Sequence, residues 1–430
     1  MKKTRLIALV LALMLVLASC GGSGSNSGST PEGGAASSAP VDATLDPAAL
    51  DDVVKYLTDG AYTKDSVVGH VGDREITAGQ VLYWIAYQQY NMTYYYTNYF
   101  GFTLNMSDPM DDNTTVGQSL YQFGLDTALS YAVAAQHARD NGVELSEEDA
   151  ALVANLYQDN VNFYGEDRWN AYVQAGLLKE EDFSEEEKAE WMNTHGEDFY
   201  HHSMMYYGTT AQDYETLISD FYYYNTLQEQ LFGEGGAQAP TEATINDYMT
   251  DYINENGVVW ARCILFPTAD LDDAGKADMK AQADAVMAEL SALSGEELRN
   301  AFTEQQTAHD KSGYAAGEVQ HYTNTDSLVD GFYDGITKLQ PGQLGMTGET
   351  DYGYFILLRE DENRSDLTEL VTNEYVSTTY DSLIAQWTKE YDAKCEMPDL
   401  DLDSFYEKLG SLQKTLAVVD TVNAASDSKK

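Results

Sequence analysis

The apolar run "VVWARCILFPT", residues 258–268, divides the chain. A continuous apolar stretch of this length, stopped by Pro267, reads as a buried strand. Before it the pattern is helical. Leu125, Leu129, Ala132 and Val133 recur at helical spacing within 118–140, and Gly142 offers a left-handed stop. Thr77 with Gln80 and Ser184 with Glu187 form capping boxes, and Ser146 to Asp149 caps a further helix. Residues 146–232 therefore read as mostly helical and acidic. Pro240 and Thr241 open one more helix, after the hinge "GEGGAQAP", 233–240. A short hairpin, "SVVGHVGDREI", occupies 66–76. After the dividing strand the pattern alternates. A helix at Leu271 to Leu293, a second capped by Ser294 and Glu297, a strand near Val319, a helix from Ser327 to Lys338 and a strand at Tyr354 to Leu358 follow in turn. This order predicts a small α/β unit with helices over a sheet. A last helix, about Asp366 to Tyr391, precedes an acidic tail.

The ends carry a different message. Lys2, Lys3 and Arg5 form a basic start, and Leu6 to Ala18 runs apolar without a break. The run is too short to span a bilayer, which takes about 20 residues. It reads as a processing signal, outside the fold. Its end, Leu17-Ala18-Ser19-Cys20 before Gly21, resembles a bacterial lipoprotein box; the resemblance implies cleavage before Cys20 and lipid on its sulfur. Residues 21–40 are Gly-, Ser- and Ala-rich, a flexible tether. The net charge of −47 argues against nucleic acid and against an anionic bilayer as partners. Hydrophobic residues make up 43% of the chain, enough for a sizeable core.

Cys263 and Cys395, the remaining cysteines, could form at most one bridge, which is no disulfide scaffold. The histidines of "HGEDFYHH", 195–202, invite a metal reading, but His201 and His202 are adjacent and point apart on a helix. No HExxH, CxxC, phosphate loop or Gly-x-Ser-x-Gly occurs. No cofactor and no metal is expected. "YNMTYYYTNYF", 90–100, reads as partly exposed, a surface suited to extended peptides.

Several segments, taken in order, resemble exported foldases of the PrsA and SurA type. "GHVGDREITAGQVLYW" is similar to their opening, and "ALSYAVAAQHARDNGVELSEED" to their second landmark. "PTEATINDYMTDYINENG" resembles the helix leading into their parvulin domain. Ala261 to Ser291 resembles the parvulin start, and "LQPGQLGMTGETDYGYFILLRE" its end. The likeness covers about residues 65–395.

The resemblance implies an α+β chain. A signal peptide (1–20) and linker (21–48) would precede a helical chaperone domain (49–245) and an inserted parvulin-like domain (246–362). A C-terminal helix (363–396) would pack on the helical domain, and an acidic tail (397–430) would end the chain. It also implies peptidyl-prolyl isomerisation, with unfolded or extended exported polypeptides as partners and a location outside the cytoplasm. The family's first-strand histidine falls on Cys263 and its last-strand histidine on Phe355. A third polar catalytic position falls on Asp310, counted back from Gly317 and Glu318. The proline slot falls on Val319, Leu328 and Phe332. Loss of both imidazoles together suggests a compensated apolar swap, since replacing both partners of a buried hydrogen bond can be nearly neutral for stability. The expectation is a usable apolar slot with weak or absent catalysis. Two other readings stay open: a solute-binding lipoprotein of a transporter, which would show two α/β lobes, and an assembly or adhesion factor.

Overall fold

A computed structural model of the chain describes residues 47, 50–309 and 319–427, and side chains as far as residue 417. Cys20 and Asp310 lie outside the described residues. In chain order the elements are α1 (Val53–Leu57), β1 (Val67–Val71), β2 (Arg74–Thr77), α2 (Ala78–Phe100), α3 (Val116–Asp140), α4 (Glu147–Gln174), α5 (Glu185–Tyr206) and α6 (Ala211–Phe232). There follow α7 (Glu242–Asn256), β3 (Val259–Pro267), α8 (Asp273–Leu290), α9 (Gly295–His309), β4 (Gln320–Tyr322) and α10 (Phe332–Thr337). The chain closes with β5 (Leu344–Met346), β6 (Gly353–Arg359), α11 (Thr368–Glu390), β7 (Lys394–Cys395) and α12 (Leu402–Asp427). The class is α+β, with two small antiparallel sheets.

The chain divides into two compact units. One holds the residues up to Arg139, Glu144–Tyr222 and everything from Tyr391 on; the other holds Asp140–Val143 and Tyr223–Glu390. In the first unit most helix starts follow the capping chemistry of the sequence. The Thr77 hydroxyl accepts from the Gln80 amide at 3.4 Å, and the Gln80 side chain accepts from the Thr77 amide at 3.2 Å. Ser184 and Glu187 repeat the arrangement on α5. The long hairpin of α4 and α5 crosses at two glycines. A Cβ on Gly196 would lie 2.0 Å from the Val161 carbonyl oxygen, and one on Gly165 2.2 Å from that of Met192. The backbones touch there, so neither position has room for a side chain.

Ionic groups are buried in this unit. Asp220 pairs with both Arg74 and Arg139, and burial pushes its carboxyl up to about 6 against the pull of the two guanidinium groups. Asp213 accepts from the Thr77 hydroxyl at 2.5 Å and the Thr210 hydroxyl at 2.8 Å, and burial raises its carboxyl too. A Cβ on Gly79 would collide with that carboxylate at 2.2 Å.

The last two helices both bury apolar side chains. Residues 397–430 are not simply a tail. In α12, Phe405, Leu409, Leu412 and Leu416 are buried, and the helix belongs to the first unit. Its apolar residues recur every three or four positions among acids, which hid a core-facing stripe inside an acidic composition. The earlier helix, α11, belongs by packing to the second unit. Its Val371 and the preceding Leu367 are buried with Trp260 and Met249 in one core, and its Tyr380 hydroxyl donates to the Tyr224 carbonyl at 2.9 Å. Among the described residues the two α/β lobes of a solute-binding protein do not appear: the first unit is mainly helical, with the three-stranded sheet β2-β1-β7.

The second unit is built on the sheet β4-β3-β6-β5. Side chains alternate along β3. Trp260, Ile264 and Phe266 face one way, while Val259, Ala261 and Cys263 face the other. Helices α8 and α9 cover the first face with Ala283, Val286, Leu290, Leu298 and Phe302. Buried Glu360 holds α9 in place, bridging Arg262 at 2.8 Å and Arg299 at 2.7 Å. The helix expected from Ser327 shrinks to α10. Gly331, at φ 82°, precedes its first residue, and 327–331 are not helical, with the Leu328 amide donating to the Asp326 carbonyl.

Candidate apolar site on the four-stranded sheet

The other face of that sheet carries most of the positions singled out in the sequence. Leu265 stands directly opposite Phe355, and Cys263 opposite Leu357. Cys263 and Phe355 are therefore diagonal neighbours on one face. Both are buried, Cys263 to 3% exposure and Phe355 to 8%. Phe332, from α10, lies across them, with its ring 5.0 Å from that of Phe355 at 84°, an edge-to-face contact. Leu328 and Leu265 pack against the same cluster and are only partly buried. They form its accessible rim.

Val319 does not join them. It packs with Trp260, Val258 and Ile245 in a separate core. The reason is register. Tyr322 pairs with Val259 and so shares the Cys263 face; Val319, three residues back, has the opposite parity. Tyr322 takes the place at the site instead. Its ring sits 5.2 Å from Phe332, and its hydroxyl lies 4.0 Å from the Cys263 sulfur. The alternation within "VQHYT" was visible in the sequence. Its phase against β3 was not, so nothing chose between Val319 and Tyr322.

The polar inventory at the site is short. The thiol of Cys263 and the phenol of Tyr322 are within the cluster. The Thr347 hydroxyl accepts from the Phe355 amide at 3.0 Å, and the Thr347 amide donates to the Phe355 carbonyl at 2.9 Å. Tyr333, on the rim, donates to the Gly257 carbonyl at 2.5 Å, and burial raises its phenol. Such a face can hold an apolar ring by contact and desolvation. It offers few dipoles aimed at a twisting amide.

Elsewhere the sequence candidates fall into structural roles. His195 stacks on Trp191, with ring centroids 3.8 Å apart, and its Nδ1 bonds the Trp191 carbonyl. Cys263 and Cys395 are not joined in a disulfide. Burial, with Asp126 and Glu396 adding, pushes the Cys395 thiol up to about 12. A cleft of about 470 Å³ lies in the first unit beside β1, lined by Tyr62, His70, Lys394 and Asp399 among others; it contains none of the expected site residues. Among the described residues no helix is long and apolar enough to cross a membrane.

No family model matches the chain, and no curated protein matches its sequence. Solved structures similar to it include PrsA from Bacillus subtilis, at 15% identity over 70% of this chain and 99% of that one, with a TM-score of 0.22. The foldase protein PrsA from Streptococcus pneumoniae is similar at 13% identity over 78% and 97%, with a TM-score of 0.24. A SurA-like chaperone from Campylobacter jejuni is similar at 16% identity over 53% and 92%, with a TM-score of 0.20. Values this low leave the functional reading to the residues of the chain itself.

Proposed function

We propose that the protein is an extracytoplasmic foldase, held to the membrane through lipid on Cys20. In this reading it acts mainly by gripping unfolded exported polypeptides, and its parvulin-like unit isomerises prolyl bonds weakly or not at all. The observation that carries the reading is the convergence of Cys263, Leu328, Phe332 and Phe355 in one apolar cluster on one face of the sheet. Cys263 and Phe355 come from the segments that resemble the start and end of the parvulin domain, and Leu328 and Phe332 are the slot positions that the resemblance implies between them. A proline ring needs an apolar slot of that kind.

Isomerisation needs more than a slot. The amide barrier is about 18–20 kcal/mol, and lowering it requires preorganised polar groups at the twisted bond. A thiol and a phenyl ring stand where the family places imidazoles. Asp310, the third polar position that the family resemblance implies, stays part of the proposal. The signal segment, the tether and the box at Cys20 support the location and the anchor.

A protease-coupled proline assay on the full mature chain tests the catalytic half. Turnover comparable with an intact parvulin would refute it. Suppression of aggregation of an unfolded client, by the full chain and by a version lacking 246–362, tests the chaperone half; no suppression by the full chain would refute that.

A further inference from the structure

We infer that the C-terminal end of α2 is a docking surface for cationic, Lys- or Arg-bearing segments of extended polypeptides. The inference rests on the chaperone reading above and names the client chemistry. From Thr77 to Ser107 the sequence contains no Asp, Glu, Lys or Arg, in a chain that is 22% charged. The first half of α2 explains its share by burial: Val81, Leu82, Trp84 and Ile85 are core. The second half does not. Tyr99 is 71% exposed, Phe100 57% and Phe102 50%, with Tyr94 and Tyr95 also in water.

These rings form one shelf. Tyr95 lies 5.0 Å from Tyr99, and Tyr96 lies 5.7 Å from Phe100 and 5.1 Å from Phe102. Gly101, in the left-handed region at φ 70°, folds Phe102 back towards Tyr96. Contiguous exposed apolar surface of this sort marks an interaction site.

Charge selects the occupant. The net charge of −47 opposes a second copy, an acidic polypeptide and an anionic membrane alike. Aromatic faces attract guanidinium and ammonium groups. Cation–π pairs within the protein use other rings, such as Arg168 over Phe199 and Lys408 over Tyr56. The stretch that carries the shelf supplies no cation of its own, so a partner must bring it. The loop that follows adds Asp108, Asp111 and Asp112.

The test is fluorescence anisotropy with the full mature chain carrying Cys20→Ser. Two unstructured labelled peptides serve as probes, identical except that Arg in one is Glu in the other. The Arg peptide should bind about tenfold more tightly at low salt, the worth of roughly two cation–π contacts. The preference should shrink at molar salt. Combined Tyr99→Ser, Phe100→Ser and Phe102→Ser should abolish it while the circular dichroism and denaturation midpoint stay put, and Tyr99→Lys alone should weaken Arg-peptide binding. Equal binding of the two peptides, or an undiminished preference in the triple variant, would overturn the inference. Aggregation suppression separates the two readings. If the chain protects unfolded clients without regard to charge, only the inference falls; if it protects none, the chaperone reading falls with it.

Discussion

At the scale of single residues, the buried carboxylates of the first unit decide how stability responds to mutation and pH. Asp220 compensates two guanidinium groups. Removing one member of a buried pair leaves charge stranded, at a cost of about 3–5 kcal/mol. Asp220→Ala should therefore lower the urea-denaturation free energy of the first unit by that amount, with Arg74 and Arg139 both left behind. The pH dependence has a definite sign. Asp213 and Asp220 are both raised in the folded protein, Asp220 to about 6. A raised folded-state value means that their contribution is fully present below the unfolded value near 3.9 and is lost as pH rises through the folded one. Stability should thus fall between about pH 4 and 6 on Asp220's account, and in the same direction on Asp213's. Asp213→Asn keeps an acceptor for Thr77 but cannot ionise, so its thermal midpoint should fall less as pH rises from the acid side. An unchanged slope would remove Asp213 from the explanation. The cysteines add a chemical check. With Cys20 replaced by Ser, neither remaining thiol should react with a disulfide reagent in the native state at pH 8. Cys263 is 3% exposed, and Cys395 stays protonated because burial pushes it to about 12.

At the scale of elements, the crossing of α4 and α5 is the most demanding contact. Ala at Gly196 or Gly165 must push two helix backbones apart, since the intruding methyl meets a carbonyl that cannot rotate away. Overpacking of this kind costs about 1–3 kcal/mol. Each single variant should show a lower denaturation midpoint with hairpin helicity retained. The starts of α2, α4 and α5 were legible because Thr77, Ser146 and Ser184 carry local hydrogen-bonding chemistry that needs no partner from elsewhere. The strand at β3 was legible for a related reason: nine consecutive residues, Val259–Pro267, have few other uses. What failed depended on distant pairing. The face of Val319 is set by the register of β4 on β3, and the start of α10 by the left-handed Gly331. The site was legible in part: Cys263, Leu328, Phe332 and Phe355 meet, while Tyr322 could be placed only once the register was known.

At the scale of the molecule, the last helix matters more than its composition suggests. Phe405, Leu409, Leu412 and Leu416 are each at most 2% exposed. Burying such side chains contributes about 1.5–3 kcal/mol apiece, or about 6–12 kcal/mol together, as much as a typical domain's whole stability of about 5–15 kcal/mol. A chain ending at residue 396 should lose the cooperative unfolding of the first unit, seen by calorimetry, while the second unit still melts. Retention of both transitions would show that α12 merely decorates the surface. The same interleaving sets an order of events during synthesis. The ribosome delivers α1 to α5 early and the helix that seals their core last. The intervening unit, which draws its sheet and covering helices from one unbroken stretch, can close while its host is still waiting. A nascent chain stalled before Leu402 would then carry a finished insert inside an unfinished frame, itself a substrate for the cell's quality control.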